Sequence, residues 1–321
     1  MLANKPMLKQ FGILTFSLFM TTPLVFAQPN TSSTNKPPLK AQTNIQQSFE
    51  IKSKYTKHDY LIQISVPAGE APSEGFPVLY VLDGNAAFDS AANIAKSVGG
   101  GANRLGLSPV AIVAIGYPKQ STFDVEKRAL DYTPKASAEF QKQAKYTYGG
   151  ADQFIQFIEK ELKPAIHAKI KVNPQQQSLF GHSFGGLFVL HTFFSQPHMF
   201  QRYIAASPSL WFDNYALLNR QADWLKNQNK TQNIMLMTTV GTHEHGRSPT
   251  PDAESLQKQN DFYQNFNQQR SKQFLFWNYR HPAEQHLTNM YASLPKAIML
   301  AGCQPQSCSN LFDEPAQQSA E

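Results

Sequence analysis

Ser183 is the residue of this chain best placed for covalent chemistry. It sits at the centre of Gly181-His182-Ser183-Phe184-Gly185, directly after the run Ser178-Leu179-Phe180. A serine hydroxyl is a weak nucleophile near neutral pH, so it needs a base within hydrogen-bond reach and usually a third group to orient that base. G-x-S-x-G between a strand and a helix makes a sharp turn that exposes the serine at the end of the strand. The residues two away on each side must be small, or their side chains collide with strand and helix. Gly181 and Gly185 meet that demand, and Gly186 lets the helix pack closer. Leu187 to Phe194 is apolar enough for a buried helix, which gives the pentapeptide the context of a nucleophile elbow.

With such an elbow the chain order is serine, then Asp or Glu, then histidine, and the histidine belongs just after the last strand. Two histidines follow the run Gln273 to Tyr279. His281 lies close to the strand end ahead of Pro282 and reads equally as a capping or packing residue. His286 lies just before the last helix, where its ring can swing over the elbow, and is the preferred base. The acid should follow Ile234 to Val240, where Gly241-Thr242-His243-Glu244-His245-Gly246 supplies Glu244. Asp252 and Glu254 are alternatives, and a Ser–His dyad stays open. Two histidines flanking Glu244 do not make a metal site without a third ligand, so neither metal nor other cofactor is expected. A tetrahedral oxyanion needs two backbone N–H donors. Phe184, after the nucleophile, supplies one. Asn85, in the turn Asp83-Gly84-Asn85 after Val78 to Leu82, supplies the other.

Apolar and β-branched runs alternate with helical patterns, which predicts a mostly parallel sheet covered by helices on both faces. With the elbow, this is the α/β-hydrolase fold, here without a large cap domain. Ser48 to Ser53 and Tyr60 to Val66 read as early paired strands. Val78 to Leu82 and Val110 to Ile115 are continuous apolar strands of the kind buried on both faces. Ala151 to Leu162 is an amphipathic helix with Pro164 as its stop. Tyr203 to Ala206, Ile234 to Val240 and Gln273 to Tyr279 are later strands, with helices over Tyr215 to Lys226, Ala253 to Gln269 and Asn289 to Ala301. The stretch Pro118 to Gly150 is polar and has no clear period. Loops this long are usually functional or disordered, and this one follows a strand end, where open parallel sheets bind ligands.

Lys5 and Lys9, the apolar stretch Phe11 to Met20 and Val25-Phe26-Ala27 read as a secretory signal peptide over residues 1–27. The apolar stretch is too short to span a bilayer. The expectation is therefore an exported, periplasmic protein with no membrane anchor. Residues 28–47 form a polar leader, 48–302 the hydrolase domain and 303–321 a polar tail. Cys303 and Cys308 are the two cysteines; in an oxidising compartment such a close pair forms a disulfide. The 321-residue chain carries a net charge of +6, which accords with an anionic substrate. No basic run with interleaved aromatics is present, which argues against nucleic acid.

Four segments converge on one family: Val81-Leu82-Asp83-Gly84-Asn85, Arg128-Ala129-Leu130-Asp131-Tyr132-Thr133-Pro134, Gly181-His182-Ser183-Phe184-Gly185-Gly186-Leu187 and Ser207-Pro208-Ser209-Leu210-Trp211. In this order they resemble the putative-esterase (esterase D-like) superfamily of α/β-hydrolases, and within it the periplasmic siderophore esterases that open ferric enterobactin and salmochelin trilactones. The resemblance covers Phe49 to Ala301. It implies Ser183 as nucleophile, His286 as base, Asn85 and Phe184 as oxyanion donors, and Arg128 facing acidic substrate groups. Arg128 also reads as a structural arginine tying down the long loop. Trp211 reads as a core or pocket-wall aromatic and not as a dedicated stacking platform, though a flat catecholate ring could still pair with it. Glu284-Gln285-His286-Leu287 departs from the family's His-Gly-Ser run. The implied reaction is hydrolysis of the carboxylic esters of an iron-loaded catecholate trilactone, with iron arriving on the substrate. The same residues would also serve a short-chain carboxylesterase, a thioesterase, an acyltransferase or a binding protein that has lost catalysis.

Overall fold

Eight strands, numbered along the chain, build one sheet: β1 (Ile45–Lys52), β2 (Asp59–Val66), β3 (Phe76–Val81), β4 (Ala111–Gly116), β5 (Val172–His182), β6 (Arg202–Ala206), β7 (Ile234–Gly241) and β8 (Phe274–His281). The computed structural model describes residues 44–226, 233–244 and 252–313. The signal-peptide reading, and nearly all of the leader, lies outside the described residues. The spatial order is β1-β2-β4-β3-β5-β6-β7-β8. β2 runs antiparallel to both β1 and β4, and every other neighbouring pair is parallel. This is the expected α/β-hydrolase arrangement.

The helices are α1 (Gly84–Leu105), α2 (Val125–Asp131), α3 (Ala138–Gln143), α4 (Ala151–Phe157), α5 (Lys163–His167), α6 (Phe184–Ser195), α7 (Phe212–Tyr215), α8 (Leu217–Lys226), α9 (Ala253–Gln268), α10 (His286–Gly302) and α11 (Cys308–Phe312). On one face, α1, α10 and α11 bury Phe88, Leu294 and Phe312 with Val81, Phe180 and Met237 of the sheet. On the other, α4, α6 and α9 bury Phe154, Phe188 and Phe266 with Tyr80, Leu179 and Leu236. β3, β4 and β6 are buried along their whole length. That burial accounts for the apolar sequences of β3, β4 and, after the buried Arg202, β6, since both faces lie under helices. Each fully buried Val, Leu, Ile or Phe among them contributes about 1.5–3 kcal/mol.

The chain passes from β3 to β4 on one side, then crosses to β5 on the other. The crevice where this direction reverses is the usual ligand site of an open parallel sheet. Asn85 follows β3 and Ser183 follows β5, so this switch point brings together segments about a hundred residues apart in sequence.

Several elements differ from the sequence reading: α1 was not foreseen, and β1 begins at Ile45, inside the expected leader. Pro164 is not a stop: Ile158–Leu162 forms a π-helical turn and α5 continues through the proline in its first turn. The missing proline N–H is tolerated there because the wider turn shifts the hydrogen-bond pattern. The polar stretch 118–150 is not one loop, since it holds α2 and α3, capped by Asp124 and Ser137. α10 starts at His286, three residues before Asn289. The folded body also runs past residue 302. α11 buries Phe312, Tyr279 donates its hydroxyl to the Phe312 carbonyl at 2.7 Å, and Trp277 Nε1 donates to Asp313 at 2.7 Å. Cys303 and Cys308 form the expected disulfide.

Candidate active site

Ser183 has φ 60° and ψ −116°, a conformation costly for a residue with a Cβ and typical of functional turns. Hydrogen bonds from Ser183 N–H to Ala206 O (3.0 Å) and from Ser209 N–H to Ser183 O (3.2 Å) hold it there. A Cβ on Gly181 would run into the Gly185 backbone, and one on Gly186 would lie 2.8 Å from Ala206 O. A Cβ on Gly185 would meet nothing closer than 3.5 Å. The tight positions of this elbow are therefore 181 and 186, which corrects the expectation for Gly185.

His286 opens α10 as its first helical residue and does not lie on the loop before it. Its Nδ1 is 2.9 Å from Glu244 Oε2. Glu244 Oε1 accepts the Ser207 hydroxyl at 2.6 Å and the Gly241 N–H. Burial pushes the Glu244 carboxyl upward, but hydrogen bonds from His286, Ser207 and the Gly241 amide outweigh it and leave it below its usual range. The residue expected from chain order thus faces the histidine. The two alternatives have other duties. Asp252 caps α9 by accepting from Ser255 N–H at 2.9 Å, and Glu254 pairs with Lys258 at 2.7 Å. His281 Nδ1 is turned to Asn289 Oδ1 at 2.6 Å.

Ser183 Oγ makes its hydrogen bond to Ser209 Oγ, at 3.3 Å. Catalytic hydrogen bonds of resting hydrolases are often loose and tighten on the reaction path. The imidazole of His286 lies beside the residue that precedes Ser183: its ring centroid is 4.6 Å from that of His182. His182 Nε2 is 2.6 Å from the His286 carbonyl, which only accepts, so Nε2 carries the proton. Burial first, and then the neighbouring His286, push His182 down to about 3. It is a neutral ring.

Asn85 and Phe184 lie in the first turns of α1 and α6, where a backbone N–H has no intrahelical acceptor. Both amides emerge at the same end of adjacent strands. The Asn85 side chain clamps the segment after β4, accepting from Tyr117 N–H at 2.7 Å and donating to Tyr117 O at 3.0 Å and Gln120 O at 2.9 Å. Arg128 is buried. Its Nε and Nη2 form a fork on Asp83 at 2.8 and 3.0 Å, and Nη2 also donates to His182 O at 3.3 Å. With those donors spent on the fold, the geometry favours the structural reading of Arg128 over the one facing the substrate.

A family model described as "Putative esterase" matches residues 53–290. The chain belongs to this esterase family. The esterase is 36% identical over 196 residues to the siderophore triacetylfusarinine C esterase of Aspergillus fumigatus, across 58% of this chain and 64% of that protein. It thus spans slightly less than two thirds of that relative's length. It is 32% identical over 214 residues to the ferri-bacillibactin esterase BesA of Bacillus subtilis, across 64% of this chain and 74% of that one. Among solved structures, the BES protein from Bacillus cereus matches with a TM-score of 0.71 and 32% identity, over 81% of this chain and 96% of that one.

Three exposed hydrophobic side chains flank the esterase's site. Trp211 is 51% exposed and its ring lies 5.8 Å from that of Phe184. Leu287, next to His286, is 53% exposed. Tyr291 donates its hydroxyl to the carbonyl of Ala86, the neighbour of Asn85, at 3.4 Å. Trp211 was expected from sequence. Leu287 and Tyr291 were not, because a lone aliphatic or aromatic residue at a helix start looks the same in sequence whether it faces solvent or a substrate. Ser207, Ser209 and Asn289 were also missed as site residues. Among the described residues no cluster of His, Cys, Asp or Glu could hold a metal ion, and no helix is long and apolar enough to cross a membrane.

Proposed function

We propose that this esterase hydrolyses the carboxylic ester bonds of a siderophore, and specifically of an iron-loaded catecholate trilactone such as ferric enterobactin. The observation that carries the chemistry is the 2.9 Å contact of His286 Nδ1 with Glu244 Oε2, with the His286 ring 4.6 Å from that of His182, next to a serine at φ 60°. The substrate class rests on the relatives named as siderophore esterases. The half-exposed Trp211 suits a flat aromatic acyl group.

With Nδ1–H held by Glu244, Nε2 of His286 is the face left to accept a proton. Ser183 Oγ attacks the ester carbonyl carbon while His286 takes the hydroxyl proton. The tetrahedral oxyanion falls to the amides of Asn85 and Phe184. Such a donor contributes a factor of ~100 to 1,000 in turnover. Collapse expels the alcohol, which receives the proton from His286 and leaves an acyl-serine. Water, deprotonated by His286, then attacks the acyl carbon; collapse breaks the bond to Ser183 Oγ, which takes the proton back from His286, and the acid is released. Iron travels with the substrate and takes no part in these steps. The signal-peptide pattern in residues 1–27 supports a periplasmic setting.

The test compares ferric enterobactin with p-nitrophenyl butyrate, using wild type and Ser183→Ala, with products separated by chromatography. Trilactone opening that disappears in Ser183→Ala is the expected result. Efficient cleavage of the butyrate with an intact trilactone would move the assignment to a general short-chain carboxylesterase. Full activity in Ser183→Ala would remove the serine mechanism altogether.

A further inference from the structure

Ser207 has φ 43°, in the left-handed region that serine rarely adopts. Glycine would sit there without strain, so the side chain is the feature that needs explaining. Its hydroxyl is 2.6 Å from Glu244 Oε1 and receives Asn289 Nδ2–H at 2.7 Å. Asn289 is fully buried, and its Nδ2 also lies 3.2 Å from Thr239 Oγ1. Its Oδ1 is 2.6 Å from His281 Nδ1. His281 Nε2 is buried with no hydrogen-bond partner among the described residues. Placing the imidazole proton on Nδ1 pairs the donor and leaves only an acceptor unmatched.

These contacts form a chain with one direction. His281 Nδ1–H donates to Asn289 Oδ1, Asn289 Nδ2–H donates to Ser207 Oγ, and Ser207 O–H donates to Glu244 Oε1. Glu244 Oε2 then faces His286 Nδ1 at 2.9 Å. Because Asn289 already donates to the serine oxygen, the serine proton is directed to the carboxylate. A glutamate carboxylate turns freely about its last torsion. Fixing Oε1 from two sides, by Ser207 and the Gly241 N–H, fixes where Oε2 points.

We propose that Ser207, aimed by Asn289 and His281, is a positioning residue that locks the Glu244 carboxylate in register with His286. This rests on the reading of Glu244 as the acid of the triad. Ser207 touches no reacting atom and acts only through Glu244.

The test is a double-mutant cycle of wild type, Ser207→Gly, Glu244→Gln and the double variant, with kcat and KM measured on p-nitrophenyl butyrate. Glycine removes the hydroxyl and relieves the left-handed backbone, so Ser207→Gly should melt no lower than wild type. Ser207→Ala, which keeps the Cβ, is the second probe of the hydroxyl. Glu244→Gln sets an amide against His286 Nδ1 and should lower kcat by ~100-fold or more. Ser207→Gly and Ser207→Ala should each lower kcat by ~10-fold with KM unchanged. In the Glu244→Gln background the same changes should cost less than about twofold, the non-additivity of residues that act as one unit. Wild-type kcat in both serine variants, or an equal loss in both backgrounds, overturns the proposal and leaves the triad standing. Wild-type kcat in Glu244→Gln overturns the triad itself, and the proposal with it.

Discussion

His182 and His286 are joined twice. His182 donates Nε2–H to the His286 carbonyl at 2.6 Å, and the two rings lie 4.6 Å apart at 46°. The residue before the nucleophile therefore grips the residue that carries the base, across 104 positions of sequence. The elbow and the first turn of α10 are tied together, which is what a serine and a base from distant segments require.

The burial of His182 predicts a pH signature. Folded His182 titrates at about 3, against 6.5 for an ordinary histidine. Between those values the unfolded chain binds one proton more than the folded one, so stability rises with pH there. The contribution of this group is complete above pH 6.5 and is lost as pH falls toward 3, at about 1.4 kcal/mol per pH unit. His182→Phe keeps a ring and removes the titration. Urea unfolding at pH 7 and pH 4.5 should show a loss of stability smaller by roughly 2–3 kcal/mol in the variant. Equal losses would mean that His182 is not held neutral.

The elbow predicts an uneven glycine series. Gly181→Ala drives a Cβ into the Gly185 backbone, and Gly186→Ala sets one against Ala206 O and Pro208. Each should cost about 1–3 kcal/mol or more and most of the activity, because backbone must move. Gly185→Ala has room and lies in α6, where alanine is favoured by up to ~1 kcal/mol. Thermal melting and ester turnover of the three variants check the order. A Gly185→Ala enzyme as damaged as Gly181→Ala would contradict it.

How far the fold could be read in advance follows from how each element is stabilised. The buried strands were legible because full burial demands apolar runs, and β3, β4 and the Tyr203 to Ala206 part of β6 have them. α1 was not. Its buried face is mostly alanine, with Ala87, Ala91, Ala92 and Ala95 around Phe88, and Gly99-Gly100-Gly101 lies inside it. Small residues that allow close packing against the sheet carry little hydrophobic signal, and three glycines read as a break. Ser183, His286 and Glu244 could be named because the elbow has a local motif and chain order constrains its partners. The roles of Ser207, Asn289 and His281 could not, although His281 was weighed as a base: they arise from hydrogen bonds that join the β6 end, α10 and β8, which no spacing along the chain reveals.

Trp211 should act on substrate affinity. Half its surface is exposed and its ring lies beside Phe184, so it offers a face to an aromatic acyl group. Such pairs contribute about 0.5–1.5 kcal/mol. Trp211→Ala should therefore raise KM for a catecholate ester by roughly 2- to 10-fold and leave kcat on a butyrate ester nearly unchanged. Steady-state kinetics on the two substrates decides it; an unchanged catecholate KM would remove Trp211 from the binding surface.

Arg128 gives the sharpest separation of two roles. Asp83, which precedes Gly84 and Asn85, takes the guanidinium fork, and the His182 carbonyl, just ahead of Ser183 and Phe184, accepts from Nη2. One side chain thus supports both turns that carry Asn85 and Phe184, the oxyanion donors proposed above. Removing it leaves a buried carboxylate unpaired, which typically costs about 3–5 kcal/mol, so Arg128→Ala conflates folding with function. Arg128→Lys keeps the charge and loses the planar two-point grip, a milder change. If Arg128 organises the oxyanion hole, Arg128→Lys lowers kcat by a similar factor on a neutral butyrate ester and on an anionic ferric siderophore. If it binds substrate anions, the neutral ester is unaffected and KM for the siderophore rises alone. The buried fork on Asp83 predicts the first pattern, and parallel kinetics on the two esters will tell them apart.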